Sequence, residues 1–249
     1  MKTITRLSLT VTLALLALPA RADVVGFSIA ADYWAPEVSG DFNSTGVGTI
    51  DLSDDLDVDD PSSTSLVVRL EHPVPFLPNI RYQNIGLDSS GSNRLNRSIT
   101  FEGETYNVGE TVRSDFDLSH DDIVLYYEVL DNWVNLDVGL NVKTFDGEIS
   151  VADSTTEATV DIDETVPLLY VAARFDLPVT GLYLGADLSS LSFEDTSLND
   201  LTITIGYKTN TGLGLEGGIR TFSLELDDVE DVDSDLEYDG AFLHGYYRF

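Results

Sequence analysis

The chain has 249 residues, with 13 Lys/Arg against 44 Asp/Glu for a formal charge of −31, and no cysteine. A hydrophobic fraction of 43% excludes the disordered acidic class, which combines high charge with low hydrophobicity. Disulfides play no part, and so acidic a protein repels phosphate, so nucleic acid is not an expected partner.

Residues 1–22 begin with Lys2 and Arg6, run through the apolar stretch Leu7–Leu18 and finish Pro19-Ala20-Arg21-Ala22. A basic start, an apolar run and an A-x-A site describe a cleaved secretory signal, and the apolar run is too short to cross ~30 Å of hydrocarbon as a helix. Cleavage leaves residues 23–249 as one domain, and losing Lys2, Arg6 and Arg21 takes the charge to about −34.

Beyond the signal the apolar residues recur with a period of two, the mark of strands with two unlike faces. The first strand, Val24–Trp34, sets Phe27, Ile29, Ala31 and Tyr33 against Ser28, Ala30 and Asp32. Ser62–Glu71 sets Leu66, Val68 and Leu70 against Ser65, Val67 and Arg69, and Asn79–Leu87 sets Ile80 and Tyr82 against Arg81 and Gln83. A phase slip near Asn84–Gly86 predicts a bulge. Ile123–Val129 and Val134–Lys143 alternate on either side of Asp131-Asn132, a hairpin signal. Further strands carry Leu169–Phe175, Leu182–Leu188, Leu201–Lys208, a run from about Gly212 and a terminal run from about Asp239. Ten strands result, with eight as the alternative.

The charges sort by parity. Asp32, Arg69, Arg81, Glu128, Asp137, Lys143, Arg174, Asp187, Lys208, Glu216, Arg220 and Arg248 all fall on the face opposite the apolar set. In a soluble sandwich that polar face meets water and the apolar face a second sheet. In a membrane barrel the apolar face meets lipid and the polar face lines the lumen. The connections favour the barrel. Gaps at His72–Pro78, Asp131-Asn132, Asp176–Gly181 and Thr209–Gly212 are short, whereas those at Ala35–Pro61, Asp88–Thr111, Gly147–Glu164, Glu194–Asn199 and Asp227–Leu236 are mostly longer, the pattern of short periplasmic turns and long external loops.

The last strand, Leu243–Phe249, puts Leu243, Tyr247 and Phe249 on one face and His244, Tyr246 and Arg248 on the other. A chain ending on such a Phe resembles bacterial outer-membrane barrels, whose final strand is read by the barrel-insertion machinery. Tyr247 and Phe249 are the expected insertion signal. That pattern places Gly where this chain has His244, with Gly245 beside it. Gly26–Trp34, Leu118–Ile123 and Tyr127–Trp133 resemble a family of small outer-membrane β-barrel proteins of Gram-negative bacteria, about this long and without an assigned activity. The resemblance implies an all-β, transmembrane, antiparallel up-and-down barrel in the bacterial outer membrane. It implies lipid, lipopolysaccharide and the insertion machinery as partners, and it carries no catalytic residues.

Ten strands enclose a narrow lumen, since side chains just fill a barrel of about eight and open channels appear near sixteen. The expected lumen is a packed network of the twelve charged residues, with a narrow solute or ion channel as the alternative. Two acidic runs, Asp54–Asp60 and Asp227–Asp235, offer hard oxygen ligands suited to loop-bound Ca²⁺ or Mg²⁺, with Asp55, Asp57, Asp59, Asp231, Asp233 and Asp235 as candidates. Neither run fits an EF-hand, and no other cofactor is expected. Solvated, mutually repelling loops are the competing reading.

Of three histidines, His72 and His244 lie near the expected periplasmic end. His120, between Ser119 and Asp121, is the one candidate base of a surface hydrolase acting on lipid or peptide. Neighbours in a strand point to opposite faces, so these three cannot form a triad by themselves, and no catalytic assignment follows. Phe116 and Leu118 also break phase with Ile123 and Leu125, marking a boundary between membrane strand and external extension. Phe27, Phe175, Tyr207, Tyr247 and Phe249 read as a periplasmic aromatic girdle, with Tyr33 and Trp34 towards the outside. The expected role is structural or surface-interacting rather than enzymatic.

Overall fold

The computed structural model describes residues 25–43, 48–193, 196–229 and 232–249, with side chains described except at 226–229 and 232–233. The expected signal segment, residues 1–22, lies outside the described residues. The described residues form fifteen strands in chain order: β1 (Gly26–Asn43), β2 (Ile50–Asp51), β3 (Ser63–Glu71), β4 (Asn79–Ile85), β5 (Asp88–Arg94), β6 (Ile99–Phe101), β7 (Glu104–Tyr106), β8 (Thr111–Asp117), β9 (His120–Asp131), β10 (Val134–Ala152), β11 (Glu157–Asp176), β12 (Leu182–Phe193), β13 (Thr196–Lys208), β14 (Leu213–Val229) and β15 (Val232–Arg248). Ten of them, β1, β3, β4 and β9–β15, pair antiparallel in that order, and β15 returns to pair with β1. The sheet therefore closes on itself, which removes the open edges that a flat sheet of this size would carry.

Along the lower half of the wall the outward residues are apolar and solvent-accessible. Ile29, Tyr127, Leu140, Leu169, Ile203, Leu215 and Leu243 are between 40% and 68% exposed. A closed barrel that presents a continuous apolar belt outward and charges inward is built for lipid outside and a polar lumen inside. The chain is thus a transmembrane barrel of ten strands. Phe27, Tyr247 and Phe249 cluster at its lower rim, with ring centroids 5.5 Å apart for Phe27–Phe249 and 4.7 Å for Tyr247–Phe249. Tyr247 and Phe249, expected as an insertion signal, are both exposed on the outside of the rim.

Higher up, the parity inverts. On β10 the outward residues change from Val138, Leu140 and Val142 to Thr144, Asp146 and Glu148, while the inward ones change from Asp137, Asn141 and Lys143 to Phe145, Ile149 and Val151. β1 makes the same exchange between Asp32 and Trp34, β11 between Tyr170 and Leu168, and β15 between His244 and Phe242. The outer medium has changed from lipid to water, so a strand that continues upward must carry its polar residues outside and its apolar residues inside.

This inversion explains where strand ends differ from the expected ones. The expected gaps Gly147–Glu164 and Asp227–Leu236 are largely extended strand, with β10 and β11 paired up to Ala152↔Glu157, and β1 runs on into the gap Ala35–Pro61 as far as Asn43. No bulge interrupts β4, whose register runs through Asn84 and Ile85 without a shift. The phase slip there is the point at which Ile85 and Leu87, 0% and 1% exposed, turn into an apolar interior. A register shift occurs instead at Leu136/Asp137, where β9 meets β10.

The apolar interior is a core of its own, held inside the upper barrel. Trp34, Phe42, Phe116, Phe145, Phe222, Leu236 and Tyr238 reach it from the wall and β8, and the connections supply Ile50, Leu52, Leu56, Leu95, Phe101 and Tyr106. Each such side chain contributes roughly 1.5–3 kcal/mol on burial. β8 replaces β9 as the partner of β10 above Phe145, pairing Asp117 with Glu148, and β5 pairs β8. β6 and β7 form a tight hairpin whose turn residues Glu102 and Gly103 have φ of 50° and 78°, as a two-residue turn with left-handed centres requires. Tyr106 closes this insertion onto the wall by donating its hydroxyl to the Val151 carbonyl at 2.6 Å.

Candidate functional site: a charged lumen under an apolar core

All twelve residues expected to line the lumen are on the inward face. Asp187 accepts from Arg81 at 3.2 Å and from the Tyr170 hydroxyl at 2.8 Å. Arg248 and Arg69 lie 2.6 and 4.0 Å from Glu71, and Lys208 and Arg174 lie 2.9 and 3.4 Å from Asp176. Glu216 accepts from the Tyr183 hydroxyl, and His244 sits between Asp32 at 3.5 Å and Glu216 at 4.0 Å. The histidine at the expected glycine position is therefore a lumen residue. Asp137 and Glu128 line the same space.

Two glycines make room for the tyrosines. A Cβ on Gly206 would lie 2.1 Å from the Tyr183 ring, and one on Gly214 2.0 Å from the Tyr246 ring. Both rings therefore lie flat across a neighbouring strand, where their hydroxyls meet at 3.2 Å.

The lumen is less filled than a packed ionic core would be. A cavity of about 500 Å³ runs from Gly26, Asn132, Gly212 and Arg248 at the lower rim up to Asp122, Asp200 and Arg220. There a layer of buried charge ends it. Lys143, fully buried, lies 2.9 Å from Asp122 and 3.2 Å from Asp200, and Arg220 grips Asp200 through two bonds of 2.9 and 2.6 Å. The Arg220 guanidinium stands 4.7 Å over the Trp34 ring and the Lys143 ammonium 5.3 Å over that of Phe222. Two cations thus balance two carboxylates and lean on the aromatic floor of the upper core. Trp34, expected in the outer girdle, is 1% exposed and faces inward. Its alternation with Asp32 and Ala30 continues unbroken, and what changes is the medium.

His120 belongs to this layer. Its Nδ1 donates to the Leu118 carbonyl at 2.7 Å, and its ring lies between Phe145 and Phe222 at 5.0 and 5.6 Å. Its Nε2 is buried without a hydrogen-bond partner among the described residues. Ser119 cannot serve it as a nucleophile, because its hydroxyl accepts from the Leu87 amide on the opposite side of the strand. Donor atoms of His120, Asp122 and Asp200 lie within 4.8 Å of one another, a spacing open to a metal. The Lys143 ammonium already holds the cationic position between the two carboxylates, and Arg220 completes the neutralisation, so a divalent ion would enter a balanced site.

Among the described residues, the candidates of the first acidic run do not come together as a ligand set. Asp55 is 3% exposed, ion-paired with Arg97, and accepts the Asp51 amide at 2.9 Å. Asp51 in turn accepts the amides of Ser53 and Asp54. The first run therefore builds a tight turn that seats Leu52 and Leu56 in the core, and Asp55 is a structural acid. Asp57 and Asp59 are exposed, as is Asp235, while Asp231 lies outside the described residues and the Asp233 side chain is undescribed. Asp235 lies beside Asp41 across the β1–β15 pair. Desolvation together with the charges of Asp235 and Asp51 raises the Asp41 pKa above the usual carboxylate value.

Asp122, Asp200, Glu71 and Asp176 were missed in the sequence although they anchor the lumen cations. Asp122 and Asp200 each stand one step beyond a recognised strand, before Ile123 and Leu201, with the parity of the lumen set. Extending the alternation by one residue finds both.

No protein-family model and no curated protein matches this chain. Solved structures resemble it in architecture. The transport unit of the autotransporter AIDA-I from Escherichia coli aligns at TM-score 0.41 and 9% identity over 95% of this chain and 93% of its own. The outer-membrane protease OmpT from Escherichia coli aligns at 0.43 and 12%, over 89% and 97%. Ail, the attachment invasion locus protein of Yersinia pestis, aligns at 0.35 and 12%, over 90% and 99%. These are outer-membrane barrels of different trades, and the likeness concerns the barrel alone.

Proposed function

We propose that this chain is a non-conducting, non-enzymatic barrel of the bacterial outer membrane that carries a rigid, acidic head as a surface-interaction module. One observation carries the reading: among the described residues the lumen cavity ends at the Lys143–Asp122–Asp200–Arg220 layer, and a core of buried apolar side chains stands above it. A channel needs a wetted route, and an apolar constriction opposes the passage of water and ions. A hydrolase needs a base that reaches substrate, and His120 is enclosed by Phe145, Phe222 and the buried ion layer. The head spends many large side chains on rigidity and presents carboxylates outward, which suits binding and not transport.

The lipid belt and the outward Tyr247 and Phe249 support outer-membrane lipid, lipopolysaccharide and the insertion machinery as the partners of the lower half. Reconstitution into a planar bilayer tests the reading. A silent bilayer at high protein load supports it, and stepwise conductance sinks it in favour of a channel.

A further inference from the structure

The wall of the head is not closed everywhere. β11 pairs with β10 over its whole length, from Glu157 to Phe175, but with β12 only from Leu169 to Asp176. The β12–β13 hairpin is low, closing at Phe193↔Thr196, while β10 and β11 rise on to Ala152 and Glu157. Pairing with β12 stops at Leu169, two residues from Pro167, which has no amide hydrogen to offer a ladder. From Glu157 to Leu168, twelve residues of regular strand have no backbone partner on their second side among the described residues. An unpaired edge of that length is a template for another strand unless it is covered, bulged or kept short.

The chemistry beside the edge selects the guest. Residues 144–166 carry seven carboxylates and no Lys or Arg. Asp146, Glu148, Glu157, Asp161 and Asp163 are exposed on the outward face, whereas Val160 and Ile162 point inward onto the margin of the core. A second copy of this chain would bring the same carboxylates against themselves. We propose that the upper edge of β11 is a strand-addition site for an extended cationic segment of a partner protein. The guest would place Lys or Arg outward against Asp161 and Asp163 and small apolar side chains inward beside Val160 and Ile162. Main-chain pairing supplies the affinity in this mode of recognition, and alternate side chains the specificity. The assignment rests on reading the head as an interaction surface and names the partner's chemistry.

The test uses the full barrel in lipid nanodiscs and a fluorescent ten-residue peptide alternating Lys with Val or Thr. Binding is expected, with amide-exchange protection appearing in residues 157–168, and at least a tenfold loss for Asp161→Asn/Asp163→Asn, two exposed positions that the fold does not need. The same peptide N-methylated at every residue keeps its charge but has no amide hydrogen for pairing on either edge, and it is expected not to bind. Equal binding of both peptides would reduce the site to charge attraction and overturn the proposal, as would no binding. A Thr159→Cys variant of this cysteine-free chain that forms disulfide-linked dimers would assign the edge to a second copy, against the proposal. A silent bilayer with no peptide binding defeats this inference alone, whereas conductance defeats the reading beneath it.

Discussion

Lys143 and Phe145 stand two residues apart on one face of β10 and point into the same barrel, yet Lys143 is bonded to Asp122 and Asp200 while Phe145 packs in an apolar core. The boundary between lumen and head therefore passes between them. An ion layer and an apolar layer in direct contact explain each other: the core excludes the water that would screen the ions, and the balanced ions let the aromatic floor sit above a polar cavity.

Replacing Lys143 with Met leaves Asp122 and Asp200 sharing only Arg220 in a buried site. A loss of about 3–5 kcal/mol is expected, the usual cost of an uncompensated buried charge. Urea unfolding of the barrel from lipid vesicles measures it. The double change Lys143→Met/Asp122→Asn restores neutrality and is expected to recover much of that loss, and equal instability of the two would contradict the pairing.

Phe222 is 1% exposed and touches His120, Phe145 and Tyr238 by ring contact. Truncation to Ala removes packing that its neighbours cannot refill, with an expected cost of about 3–5 kcal/mol. Limited proteolysis should show cleavage rising in the upper connections, Ile50–Pro61 and Leu95–Glu110, while the membrane strands stay protected. Uniform loss of protection would mean that the head has no core of its own.

Asp41 sets a pH dependence in the head. Its pKa is raised in the folded chain by desolvation and by Asp235 and Asp51, so the folded state binds a proton more tightly than the unfolded one. Stability from this group is complete below the ordinary carboxylate range and is lost as pH rises through the raised value. Asp41→Asn is expected to raise the thermal midpoint at pH 7 and to have no effect at pH 3, read by differential scanning calorimetry. A pH-independent gain would remove titration as the cause.

The lower barrel was legible because lipid imposes one rule, apolar out and polar in, from Phe27 to Tyr33 and again from Val134 to Lys143. The upper barrel obeys the opposite rule, so apolar-out alternation ends at Trp34 and Lys143, and β1 from Ala35 and β10 from Gly147 have the pattern of loop. Phe42, Ile149, Val151 and Val160 carried the missing signal, since they keep the parity of the lumen charges. The phase break between Phe116 and Ile123 was visible, and it marks the handover from β8 to β9. No spacing rule reveals that Arg97 holds Asp55, because that contact depends on how two separate insertions fold over the core.

Trp34 and Trp133 are the two tryptophans of the chain, and they separate the two possible parities. Trp34 is 1% exposed in the interior, and Trp133 is 59% exposed, stacked edge-on against Phe175 at the lower rim. The deciding measurement is fluorescence quenching by brominated lipid of the single-tryptophan variants Trp133→Phe and Trp34→Phe. Quenching of Trp133 with no quenching of Trp34 by lipid or by iodide is the expected result. Quenching of Trp34 by brominated lipid would place it on the outer wall and contradict the inversion on which the sealed barrel rests.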